Sequence, residues 1–190
     1  MENIKDKDEL LWHISETIGK SKVLKLTDIL YNRQFDVRDL IELTFIPERV
    51  IAFRAAWILE NLVLSDPVRF IDDLEFLICQ FPKVKNKSCQ RLYAKIIMHL
   101  TEPAMDKRVK QRLACINMDC IVEQCFDLLI EPKTPDAVKA CVSEILFNMR
   151  FRHIWIGEVL TEQLKLMMNG GKPSIQAKGR RLLSYLDHDN

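Results

Sequence analysis

One amphipathic pattern occurs four times in this chain, and it constrains the fold more than any other feature. In Ile51–Leu62, IAFRAAWILENL, the core-type residues are Ile51, Ala55, Ile58, Leu59 and Leu62. That spacing of i, i+4, i+7, i+8 and i+11 is the stripe of a helix lying with one face in a core. Cys89, Tyr93, Ile96, Ile97 and Leu100 repeat it, as do Val138, Val142, Ile145, Leu146 and Met149. Ile175, Gly179, Leu182, Leu183 and Leu186 form the fourth copy. Successive copies are offset by 38, 49 and 37 residues, the period expected of stacked helix pairs.

The prolines divide the chain in the same way. All seven (Pro47, Pro67, Pro82, Pro103, Pro132, Pro135 and Pro173) flank apolar-periodic segments, where a residue that breaks helix interiors is tolerated. Period-2 alternation and Asn-Gly or Asp-Gly turn signals do not compete anywhere, so the spacing predicts an all-α chain. The expected order begins with a pair, Lys5–Ile18 and Ser21–Asn32, separated by Gly19. A short helix capped by Asp36 runs through Phe45, and a long helix opened by Pro47 runs to about Leu64. Ser65-Asp66-Pro67 caps a helix over Val68–Phe81, followed by Lys87–Leu100. The offset of 49 predicts an insert over 103–114, with DKRVKQRLA as a short, mostly solvated basic helix. Asp119–Glu131 then pairs with Pro135–Met149, and His153–Met168 with Lys172–Asp187 across Asn169-Gly170-Gly171. The reading is one domain over 1–190, in which 1–35 is a capping pair: five helix pairs in all, plus the insert.

FRAAWILENL resembles the second helix of a HEAT repeat, usually V-R-x-x-A-A-x-A-L-x-x-L, and Asp66-Pro67-Val68-Arg69 is similar to the D-P-x-V-R that opens such helices. The later copies depart from this pattern: Ala56 becomes Ala94, Ser143 and Arg180, and the family's Asp/Arg ladder is missing. The resemblance, to HEAT and armadillo-like repeats, implies a right-handed α-α superhelix. Its concave face would be lined by the second helix of each pair.

In such a stack the residues between the apolar stripes should form a wall. One column reads Trp57, Lys95, Glu144 and Arg181; four residues on, the next reads Asn61, His99, Asn148 and Tyr185. Positions i and i+4 share a helix face, so these eight form a ribbon two residues wide that could bind a protein or peptide. Trp57 is the odd member. It is either an exposed aromatic anchor in the groove or a core residue beneath the N-terminal helices.

Charge marks a second candidate. The net formal charge of +1 divides into −5 over residues 1–82, +7 over 83–114, −3 over 115–171 and +2 beyond. Arg91, Lys95, Lys107, Arg108, Lys110 and Arg112 therefore form a candidate anion-binding surface. The fold resembles that of the HEAT-like alkylation-repair glycosylases, which supplies the alternative reading of a nucleic-acid-binding or repair-related protein. Those enzymes imply aromatic and acidic residues in a strongly basic groove; here the ribbon offers Trp57 and Glu144 on different repeats, between acidic flanks.

Motifs for other chemistry are missing: no HExxH, GxSxG, GxxxxGK[ST] or GxGxxG occurs. His13, His99, His153 and His188 are scattered. Cys115, Cys120 and Cys125 are spaced about 140° apart around a helix, which does not converge on one ion. Asp72, Asp73 and Glu75 read as a wet helix face. The six cysteines, without a CxxC, read as reduced and mostly buried small hydrophobes of a cytoplasmic protein. The start, with charges of both signs, does not read as a signal peptide, and no apolar run reaches the roughly 20 residues that cross a bilayer. The expectation is a non-enzymatic protein- or peptide-binding scaffold, a monomer or weak homodimer, with no cofactor, no metal and no membrane association.

Overall fold

The structure, a computed structural model, describes residues 6–17, 19–33 and 35–188, so Lys5 and Ile18, expected at the ends of the first helix, lie outside the described residues. Eleven α-helices and two 3₁₀ segments make up the described chain, and no strand occurs among these residues. The helices are α1 (Lys7–Ser15), α2 (Lys20–Tyr31), α3 (Val37–Leu43), α4 (Arg49–Ser65), α5 (Leu74–Gln80), α6 (Lys87–Leu100), α7 (Lys107–Ala114), α8 (Asp119–Ile130), α9 (Asp136–Met149), α10 (Ile154–Met168) and α11 (Pro173–Leu186).

They pack as two layers. The first helices are α1, α3, α5, α8 and α10; the second helices α2, α4, α6, α9 and α11 lie against one another in that order. The apolar stripes explain the layering. Of the twenty stripe residues, all but Ile51 and Leu183 are buried. Each of these four second helices thus turns one face into the core, and three to five large buried side chains at about 1.5–3 kcal/mol each hold it there against the entropy of ordering the chain.

Sequence departures in the later copies have a packing reason. The Ala56, Ala94 and Ser143 column is buried because another second helix covers it. Ser143 satisfies its hydroxyl on the Lys139 carbonyl at 2.8 Å. Arg180 takes this position in α11, the last second helix, and is exposed there with its guanidinium near Gln176. The small residue is needed between helices and dispensable at the end of the stack.

Capping follows the expected chemistry. Asp36 Oδ1 accepts from the Arg38 amide at 2.8 Å, and Asp66 Oδ1 from the Arg69 amide at 3.3 Å with Pro67 in the first turn. Gly170 adopts φ +76°, a left-handed conformation that stops α10 and frees the chain to turn into α11.

Two expectations need correction. The helix expected over Val68–Phe81 is a 3₁₀ segment, Pro67–Asp73, followed by α5, with a break at Phe70 (φ −102°, ψ 17°). Its inner face, Phe70, Leu74, Leu77, Ile78 and Phe81, is nonetheless buried. The 3₁₀ stretch is where α7 docks; α7 is the short, mostly solvated basic helix expected, with only Val109 and Leu113 of its residues buried there. Finally, Cys115 and Cys120 are exposed and only Cys89 and Cys125 fully buried, because the first two lie at the end of α7 and in the opening turn of α8. Among the described residues no helix is long and apolar enough to cross a membrane.

Candidate functional site

The layer of second helices carries all eight ribbon residues. None belongs to the buried core: Trp57, Asn61, Lys95, His99, Glu144 and Asn148 are half-buried, and Arg181 and Tyr185 exposed. Trp57 packs against the core with its ring centroid 5.8 Å from that of Phe53. It is therefore half-buried: the indole packs against the core without being sealed inside it. Asn61 donates to the Trp57 carbonyl at 2.7 Å.

Contacts between neighbouring helices join the ribbon. Lys95 on α6 pairs with Glu60 on α4, whose side chain is only 7% exposed. Asn148 on α9 donates to the Thr101 hydroxyl at 3.3 Å and reaches the Met98 carbonyl of α6 at 3.5 Å. Glu144 on α9 takes both Lys178 and Arg181 from α11. The Tyr185 ring lies 6.0 Å from Phe147 across the same helix pair. Within α6 and its exit, His99 Nδ1 meets Glu102 Oε1 at 2.8 Å.

Electrostatics focus on the centre of this wall. The half-buried thiol of Cys141 is pushed up by burial and pulled back in part by the charges of Lys178, Arg91 and Lys95. Burial also pushes the Lys178 ammonium below the ordinary lysine value. Three cations thus pair with two carboxylates, Lys95 with Glu60 and Lys178 and Arg181 with Glu144. At the far end, Arg150 sits over the rings of Phe147 and Phe151, at 3.9 and 4.0 Å from their centroids. Phe151 and Ile154 (84% exposed) lie open beside it.

The six anion-binding candidates fall into two sets of contacts. Arg91 and Lys95 belong to the wall. Lys107, Arg108, Lys110 and Arg112 lie on α7, which packs on the 3₁₀ segment and α5. There Arg108 is engaged twice by Asp106, at 3.0 and 3.1 Å, and holds that carboxyl below its usual range. Lys110 donates to the Pro103 carbonyl at 3.0 Å, and Arg112 pairs with Glu75 at 2.9 Å. Lys107 remains exposed.

Sequence reasoning overlooked Glu60 and Lys178. Each lies three residues from a ribbon member, Trp57 and Arg181, so the i+3 neighbours that share the face were the available signal. It also overlooked a charged ladder of another composition than the one sought. Lys7–Glu42, Arg38–Asp73, Glu60–Lys95, Asp136–Lys172 and Glu144–Lys178 join elements one repeat apart, at separations of 34 to 36 residues, and Glu75–Arg112, 37 apart, joins α5 to the insert. Among the described residues no group of three His, Cys, Asp or Glu is placed to hold a metal ion.

The sequence profile of the HEAT repeat domain matches residues 12–186. No curated protein and no solved structure is significantly similar to the chain. Repeats of this kind build helical scaffolds, commonly for protein interaction. With nearly the whole length matched and the helices stacked in pairs, the chain belongs to the HEAT-repeat family.

Proposed function

We propose that this chain is a non-catalytic cytoplasmic scaffold that captures a protein or peptide partner on the face of its second helices. One observation carries the reading: on four successively packed helices, the eight ribbon residues are half-buried or exposed, and five of them, Lys95, Glu144, Asn148, Arg181 and Tyr185, reach across to a neighbouring helix. Such a wall is held in place before binding, which reduces the ordering cost of association. Trp57 and Tyr185 supply aromatic anchors at its two ends. Lys95, Glu144 and Arg181 supply charge between them, and Asn61, His99 and Asn148 supply hydrogen bonds.

The test is recovery of partners by the immobilised protein from an extract of its own cells. A variant carrying Trp57→Ala, Arg181→Glu and Tyr185→Ala should lose those proteins, while Lys107→Glu, on α7, should retain them. Equal recovery by both variants would defeat the proposal.

A further inference from the structure

A second surface lies away from the ribbon, where the chain turns from first to second helices. The turn between α3 and α4 and the turn between α5 and α6 lie side by side, tied by Asn86 Nδ2 donating to the Arg49 carbonyl at 3.4 Å. Between them is an open cavity of ≈ 730 Å³. Its floor is firm: the buried Thr44 hydroxyl meets the Tyr93 hydroxyl at 2.9 Å, and the Phe45 ring sits edge-on to Tyr93 at 6.3 Å. Phe45 (40%) and Val50 (61%) are left exposed at its wall.

Its polar lining has one sign. Arg49, Lys83, Lys85 and Lys87 border the cavity, and no Asp or Glu does. The other cations described above are mostly compensated: Lys95 by Glu60, Lys178 and Arg181 by Glu144, Arg112 by Glu75, Arg38 by Asp73. Here none of the four forms an ion pair among the described residues. Lys83 reaches only the Gln80 amide oxygen at 3.3 Å, and Lys87 only the Lys133 carbonyl at 3.2 Å. The first turns of α4 and α6 open at the same place, and their positive dipole ends reinforce the cations. Glu48, in the same turn, lies outside the lining.

We infer that this cavity docks an acidic peptide segment with a large apolar side chain. The apolar residue would occupy the space beside Phe45 and Val50, and the flanking carboxylates would meet Arg49, Lys83, Lys85 and Lys87. The mix of walls decides against a nucleic acid strand. Single-stranded binding needs aromatic platforms on which bases stack, whereas of the two phenylalanines here Phe45 packs edge-on to Tyr93 and the half-buried Phe53 packs on Trp57. The volume lies within the roughly 300–1,000 Å³ of sites that bury a compact ligand. The charges invoked here are not ribbon residues, and the one contact between the two sites is Phe53 of the cavity packing on Trp57, so each can fail without the other.

The experiment is fluorescence anisotropy at low salt with a labelled peptide in which a Leu-Phe pair is flanked by runs of Asp and Glu. Saturable binding is expected, weakening as salt rises. Replacing Leu-Phe by Ala-Ala should weaken it about tenfold, as should a protein variant carrying Lys83→Glu, Lys85→Glu and Lys87→Glu. Val50→Glu, at an exposed position, tests the apolar wall separately, and circular dichroism melts verify that both variants fold. The inference is overturned by absence of binding or by equal affinity for the Ala-Ala peptide. It is also overturned if an oligothymidylate of matching charge binds more tightly, or if sedimentation shows the lysines occupied in a dimer of the chain.

Discussion

Removing the carboxylate of Glu144 should do more damage than its place on a polar face suggests. Its side chain is 13% exposed and receives Lys178, itself 27% exposed, together with Arg181, which is 50% exposed. Breaking a fully buried pair costs about 3–5 kcal/mol, because the remaining charge is left without a partner. An exposed pair is worth about 0–1 kcal/mol. Glu144 lies between these limits: Lys178 would stay half-buried and uncompensated, while Arg181 can swing into water. Glu144→Ala should therefore cost about 2 kcal/mol, a fall in Tm of roughly 4–8 °C for a chain of this size. The assay is a double-mutant cycle with Lys178→Met, read by thermal and urea unfolding. Lys178→Met alone should cost less, since Arg181 still neutralises Glu144. In the double variant the effects should fall short of additivity by about 1–2 kcal/mol. Additivity within about 0.5 kcal/mol, or a Tm shift below about 1 °C for Glu144→Ala, would refute the claim that this pair braces α9 against α11.

Other consequences can be checked on the same protein. The Tyr93 hydroxyl is buried and pushed well above the ordinary phenol value of 10.0, so it stays protonated in the native state while the unfolded phenol ionises. Its stabilising contribution is complete below about pH 10 and falls as pH rises beyond it, by up to ~1.4 kcal/mol per unit; Tyr93→Phe should flatten that slope in alkaline urea titrations. Burial pushes the Cys89 thiol to about 11 and Cys125 higher still, whereas Cys115 and Cys120 are exposed. Timed iodoacetamide labelling with mass spectrometry should therefore modify Cys115 and Cys120 in the native protein and reach Cys89 and Cys125 only after unfolding. Gly170→Val should lower stability by about 1–2 kcal/mol, because φ +76° is poorly tolerated by a β-branched residue.

Much of the fold is legible in the residues because second helices need a one-sided apolar stripe, and a stripe with a helical period has few other uses. Proline and caps such as Asp36 and Asp66 act locally, so the breaks between helices could be read as well. The 3₁₀ segment could not. Phe70, Leu74 and Ile78 satisfy an α-helical period equally well, and the break coincides with the docking of α7 from some 40 residues further on. The start of α4 at Arg49, two residues after Pro47, is likewise a matter of turn geometry.

The wall was half legible. Columns of residues one repeat apart could be aligned by counting, yet which partner each charge would choose depends on side-chain reach between helices. Lys95 turns to Glu60, a residue whose i+3 relation to Trp57 was overlooked. The basic middle looked continuous in sequence, but α6 and α7 belong to different layers, so Arg91 and Arg112 have different neighbours. The uncompensated lysines of the turn before α6 stood in that same basic block. What singles them out is the cavity beside Phe45 and Val50, which exists only once two repeats are stacked.

The most direct test of the scaffold reading is hydrogen–deuterium exchange with and without a partner recovered by the immobilised protein. Bound partner should slow exchange in the four segments 53–61, 91–99, 140–148 and 177–185, one from each second helix of the wall. Protection confined to the first helices, with these segments unchanged, would contradict it.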